Sequence, residues 1–177
     1  NISQIGYDNC RYRIRSVARE VPYWKALQAA YAANGEQARI IATIWSPPWW
    51  MKKNQCAYGE TADNEVLPSM YDELAEYCEA FVKIFKRETG FDLYGFSFQN
   101  EPAFLEPYQS AQWTGPEYAA ALKIVGKRLK EKVPGVRVFG PEDMAAHALY
   151  RFAGDIYRDP QAIGVLDVFA VHGYSNG

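Results

Sequence analysis

An α/β fold with a parallel sheet follows from three features of this 177-residue chain. Strand-like and helix-like segments alternate strictly, β-α-β-α-β-α-β-α-β. The strand-like runs are short, apolar and rich in β-branched residues, as strands covered on both faces are. The connections that leave strands are long and carry polar and aromatic side chains, whereas those that enter strands are short. Parallel neighbours joined this way require right-handed crossovers.

The elements can be taken in order. CRYRI (Cys10–Ile14) reads as a short strand. Residues 23–34 are Ala-rich and helical, with Gly35 as the stop. ARIIATIW (Ala38–Trp45) is a buried strand, broken by SPPWW. The stretch to Pro68 has no period, and loops of that length are functional or mobile. Ser69 with Asp72 three residues on resembles a capping box, and Leu74, Tyr77, Cys78, Phe81 and Phe85 follow at helical spacing up to Thr89-Gly90. DLYGFSF (Asp92–Phe98) is the next strand. An open loop from Gln99 to Trp113 leads to Thr114-Gly-Pro-Glu117, a second capping box. Tyr118, Ala121, Leu122, Val125 and Leu129 form its helix's apolar stripe, which Pro134-Gly135 ends. VRVFG (Val136–Gly140) is a strand, residues 144–157 a weaker helix, and VLDVFAVH (Val165–His172) the last strand.

Two architectures accommodate this order: a doubly wound open sheet, or part of a (β/α)8 barrel with about five strands and four helices present. No dinucleotide or P-loop fingerprint marks a strand-helix junction. The chemistry-bearing loops, 46–68, 99–113 and 141–143, all follow strand C-termini, which favours the barrel. No internal repeat or domain linker appears.

Composition narrows the function classes. The net charge of −2 and the lack of a basic stripe exclude a nucleic-acid binder, and no apolar run reaches membrane-span length. Two histidines without paired cysteines or H-E-x-x-H give no metal pattern, and no G-x-S-x-G is present. Three cysteines at wide spacing leave Cys78 as a buried thiol on a helix face, with a Cys56–Cys78 disulfide open to a secreted chain. Aromatics at 15%, clustered in loops, are the anomaly.

FSFQNEP (Phe96–Pro102) places Glu101 just past a strand, where barrels present reactive groups. Pro102 keeps Glu101 out of the right-handed helical region and toward extended backbone. A carboxyl fixed this way suits proton transfer, and an ordinary polar turn fits the same residues. Asn100 has an amide to offer a sugar hydroxyl or a carboxylate. TIWSPPWWMK (Thr43–Lys52) sets Trp45, Trp49 and Trp50 around two prolines. Flat indoles on a stiff loop fit sugar faces, and packing beneath the loop would occupy some of them. Trp113 is a weaker candidate of the same kind. HGY (His172–Tyr174) follows the last strand, so His172 can orient a carboxylate and Tyr174 can donate a hydrogen bond. Glu142 and Asp143 are reserve carboxylates, read first as capping or loop polarity.

Together, WSPPWWMK, FSFQNEP and HGY resemble glycoside hydrolase family 30, within clan A of the (β/α)8 glycosidases, over nearly the whole chain. The resemblance implies a retaining, two-glutamate mechanism without cofactor or metal, on a polysaccharide or glycoside. It makes Glu101 the general acid/base at the end of strand four, with Asn100 on the sugar 2-hydroxyl. It sets Trp45, Trp49, Trp50 and Trp113 along the cleft, and His172 and Tyr174 near the reacting sugar. Residues 1–177 correspond to strands two to six of one barrel, lacking the first strand and the last two. The nucleophile, a glutamate ending strand seven, then lies past Gly177, with Glu142 the fallback inside the chain. The expectation is a segment inactive alone, with apolar edge strands that self-associate, from a secreted enzyme. Family substrates include xylan, β-1,6-glucan or galactan and glucosylceramide-like glycosides. An open aromatic cleft favours a plant cell-wall β-glycan, xylan first. A non-catalytic carbohydrate-binding barrel and an exo-acting β-glycosidase are the alternatives.

Overall fold

The computed structural model describes residues 20–173, without the side chains of 146–149. CRYRI and Tyr174 lie outside the described residues. Helix α1 spans Val21–Ala33, strand β1 Ile41–Thr43, helix α2 Tyr71–Thr89 and strand β2 Gly95–Ser97. Helix α3 follows at Gly115–Lys132, strand β3 at Arg137–Asp143, helix α4 at Ala146–Arg158, helix α5 at Pro160–Val165 and strand β4 at Val168–Val171.

The four strands form one parallel sheet in the order β1-β2-β3-β4. Sheet order therefore equals chain order, and every crossover places its helix on the same side. The helices pack as a row on that side, α2 on α3 and α3 on both α4 and α5. A doubly wound sheet would reverse its strand order and send helices to both faces. This is instead the wall of a partial (β/α)8 barrel.

Alternation along the strands sorts the side chains. Phe96, Phe98 and Val138 point at the helices and are buried. Phe96 meets Phe81 of α2, and Phe98 stacks on Tyr118 of α3 with ring centroids 4.6 Å apart. Tyr118 in turn meets Phe152 of α4 edge to face. The opposite, concave face carries Ile41, Gly95, Phe139 and Val168, of which Ile41 and Val168 are exposed and Phe139 is buried. Of the two apolar edges expected, CRYRI lies outside the described residues, and β4, within VLDVFAVH, is an edge among the described strands.

Local signals explain most element ends. Thr114 and Glu117 close a reciprocal capping box at α3. Gly90 ends α2 with φ of +80°, a conformation that costs other residues a Cβ clash. The Ser69–Asp72 box does not form. Pro68–Met70 makes a 3-10 turn instead, and Met70 takes the N-cap position without a side-chain bond. Asp72 and Glu73 still sit in the first turn, where the helix dipole favours them. Helix α5 was not anticipated between the weaker helix and the last strand. Asp159 builds it by accepting from the N–H groups of Gln161 and Ala162, with Pro160 in the first turn.

Cys78 is a free, fully buried thiol, and burial pushes its pKa up. Cys56 is disulfide-bonded, so the Cys56–Cys78 pairing is corrected: Cys78 lies in the helical core beneath the sheet and takes no part.

Candidate active site

The rim at the strand C-termini is assembled from two long loops that brace each other. Residues 46–68 and 99–113 exchange backbone hydrogen bonds, among them Ser110 N–H to Ala57 and Gln112 N–H to Asn64. The Asn64 amide donates to Ser110 Oγ. Lys52, completely buried, donates to the Ser110 carbonyl at 2.6 Å. Burial holds its pKa down at about 7. These loops are long yet tied down, which answers the choice between functional and mobile in favour of a fixed scaffold.

Strand β2 delivers Gln99, Asn100 and Glu101 to this rim. Asn100 N–H still pairs with the Ile44 carbonyl, so the strand geometry holds to the last residue before the glutamate. Glu101 then turns. Its φ is +42°, not the extended value expected from Pro102. Proline excludes the right-handed region, and the chain takes the left-handed side because the Glu101 carbonyl accepts from Phe104 N–H in a tight turn. Such strain in a non-glycine residue persists only where surrounding contacts enforce it, and it clusters at functional sites. Glu142, at the end of β3, shows the same feature with φ of +46°.

These two strained glutamates flank one imidazole. His172, placed by the exit of β4, has Nδ1 2.7 Å from Glu101 Oε1 and Nε2 3.6 Å from Glu142 Oε2. Its backbone N–H is anchored on the Asp143 carbonyl. Glu142 also accepts from the Thr43 hydroxyl of β1, so residues from all four strands converge here. Burial raises the Glu142 pKa, partly countered by its bonds to Thr43 and Ser97 and by His172. Glu142 was expected to serve loop polarity. It is instead buried and turned toward the imidazole, because β3 runs three residues further than VRVFG. Asp143 does cap backbone, accepting from Ala103 and Met144 N–H, and thereby clamps the loop after Glu101 to β3.

The tryptophans divide. Trp45 and Trp50 are 44% and 46% exposed, and with Trp49, Pro47 and Pro48 they border a hollow of about 580 Å³ that Tyr77 and Phe81 of α2 also line. Trp113 is a core residue: it is buried between Phe98 and Tyr71, and its indole N–H donates to Gln99 Oε1 at 3.1 Å. Its cleft assignment is corrected, since the loop turns back under the rim at this point. Gln99 passes the connection on, donating from Nε2 to the Trp45 carbonyl. The Gln99 amide thus ties the Trp45 and Asn100 carbonyls to the Trp113 indole. A second hollow of about 320 Å³, lined by Ile41, Phe139, Val168, Glu142 and His172, opens on the concave face.

Asn100 is buried, and its amide donates to Glu106 Oε1 at 2.9 Å. Glu106 was not singled out in the sequence, where it is one polar residue among many in an aperiodic loop.

No family model matches the chain. It is 25% identical over 174 residues to the glucuronoxylanase XynC of Bacillus subtilis (strain 168). That alignment takes in 97% of this chain and 38% of that protein. The chain therefore spans about two-fifths of the length of the curated relatives it matches. Among solved structures it is similar to the glycoside hydrolase family 30 subfamily 8 xylanase Xyn30A from Clostridium acetobutylicum. The TM-score is 0.75 at 27% identity, over 94% of this chain and 40% of that one. The endo-β1,6-glucanase BT3312 shares the fold, with a TM-score of 0.74 at 22% identity, over 94% and 38% of the two chains.

Proposed function

Because the chain is related to glycoside hydrolase family 30 enzymes, we propose that it supplies the acid/base half of a retaining β-glycosidase active site. The observation that carries this is the Glu101 carboxyl, buried at the end of β2 and held at 2.7 Å by the His172 imidazole. General acid catalysis needs a carboxyl fixed within reach of the leaving oxygen, in surroundings that withhold water from the proton. Glu101 protonates the glycosidic oxygen in the first step and deprotonates the attacking water in the second. His172 holds the carboxyl in the orientation that both steps use. The nucleophile is a second glutamate of the same barrel, outside these residues. Residues 1–177 then form one incomplete barrel domain of a longer enzyme.

The substrate is a plant cell-wall β-glycan, with xylan first, which the relatives named as xylanases support. The half-exposed Trp45 and Trp50 give the chain of sugars apolar faces to lie on. Export of the protein is supported by the Cys56 disulfide, since such bonds persist in oxidising compartments. Tyr174, two residues past His172 in sequence, is proposed to donate to the same sugar.

The test is Glu101→Gln in the complete enzyme. Hydrolysis of xylan should fall by about 10²–10⁴-fold, the usual worth of a general acid. A dinitrophenyl glycoside, whose leaving group needs no proton, should lose far less in its first step. Full activity on xylan would defeat the reading, and no activity in the wild type would leave carbohydrate binding alone.

A further inference from the structure

Glu106 is a carboxyl of the rim that the mechanism above leaves unused, and it is completely buried. Oε1 accepts from the Asn100 amide, while Oε2 is buried without any donor. The Glu101 carboxyl lies close enough for the two charges to repel. Two carboxylates so placed cannot both stay ionised. A proton on Glu106 removes the repulsion and turns the orphaned oxygen into a donor.

We propose that Glu106 is a positioning residue for Glu101: a buried carboxyl that shares one proton with it and fixes Asn100 beside it. The proposal rests on the acid/base reading of Glu101. A general acid must remain protonated at working pH, and a pair that jointly holds one proton keeps that proton available where a lone glutamate would have lost it. Burial first, and the Glu101 contact second, push the Glu106 carboxyl up to about 8, with the Asn100 bond pulling the other way.

Other charged and titratable groups face the pair from each side. Asp143, from β3, adds negative charge toward Glu106. Tyr108, from the same loop, lies in the field of both glutamates. His172 holds the far side of Glu101, with Glu142 behind it. Lys52, the buried cation of the bracing loop, is spent on the Ser110 carbonyl. Among these, His172 stands directly against Glu101, with its Nδ1 2.7 Å from Glu101 Oε1.

The experiment has two arms, both on the complete protein. In the first, glutamate labelled with ¹³C at its carboxyl is titrated by NMR, with Glu106 assigned through its own side-chain and backbone resonances. The expected result is a carboxyl still protonated at neutral pH, with its midpoint near 8. Ionisation at the ordinary 4.5 would overturn the proposal. In the second, Glu106→Gln keeps a carbonyl oxygen to accept from Asn100 but has no titratable proton. The basic limb of kcat/KM on xylan should move down by about one pH unit. The same limb on a dinitrophenyl glycoside should stay in place. A variant slower at every pH with an unmoved limb would reduce Glu106 to a structural role and overturn the proposal. Xylan cleavage together with an ordinary Glu106 titration defeats this inference alone. A Glu106 midpoint near 8 in a protein that cleaves no glycoside defeats the acid/base reading and upholds the shared proton.

Discussion

The convex face of the sheet and the rim at its strand ends are buried to the same degree by opposite chemistry. On the convex face, Phe96, Phe98, Val138, Leu122 and Leu129 exclude water with carbon alone. At the rim, Gln99, Asn100, Glu101, Glu106, Glu142 and Asp143 are at most 5% exposed and are all polar. Burial stabilises the first group and strains the second, because each desolvated carboxyl opposes folding unless it finds a partner. The lesson is a division of labour. The helices hold the sheet so firmly that its strand ends can carry crowded carboxyls and left-handed glutamates, features that destabilise a fold and equip a site.

The comparison is broken most forcefully by cutting into the convex face. Phe96→Ala removes a fully buried ring that joins β2 to Phe81. Denaturant unfolding should show a loss of about 3–5 kcal/mol. A loss under about 1 kcal/mol would mean that the row of helices is not what supports the rim.

The rim should respond with the opposite sign. Glu106 has a folded pKa of about 8 against an ordinary 4.5. Between those values the folded chain keeps a proton that the unfolded chain has released. Stability therefore falls as pH rises through that window, and levels off above it. Glu106→Gln removes this slope, so the variant should gain on the wild type between pH 5 and pH 8 in parallel melts. A difference that does not change with pH would place Glu106 among ordinary carboxyls.

The smallest effect belongs to a helix end remote from both regions' interiors. Thr114→Ala opens the capping box of α3. About 1 kcal/mol of stability should be lost in thermal melts, with the proposed hydrolysis of xylan unchanged. A loss of activity would show that the loop carrying Glu101 and Glu106 depends on that cap.

The sequence exposes what is local. The Thr114 box, the Gly90 stop and the apolar face bearing Cys78 are each set by residues within a turn or two, and each forms as expected. The alternation of elements accommodates both a doubly wound sheet and a barrel, the long connections after strands favour the barrel, and the sheet in chain order bears that out. The strand exit that carries Glu101 is readable for the same reason. What stays hidden depends on where a loop lands. Trp113 and Trp50 are the same residue type in loops of similar composition, yet one is sealed beneath Phe98 and the other faces solvent. Glu106 looks like loop polarity until the chain folds it against Glu101. The short helix at Pro160–Val165 is different: Asp159-Pro160 announces it locally, and the signal is easily passed over between a helix and a strand. Ser69 with Asp72 gives the reverse case, a cap signal overruled when Pro68 winds the chain into a tighter turn.

The central claim is that the Glu101 carboxyl, braced by His172, faces the bond of a sugar chain lying along the indoles of Trp45 and Trp50. A crystal structure of the complete enzyme, inactivated at its nucleophile and bound to a β-1,4-xylo-oligosaccharide spanning the cleft, tests it most directly. The account predicts a glycosidic oxygen within hydrogen-bonding distance of Glu101 and a xylose ring against Trp45 or Trp50. An oligosaccharide bound away from both, with Glu101 still closed over by His172 and Glu106, would contradict it.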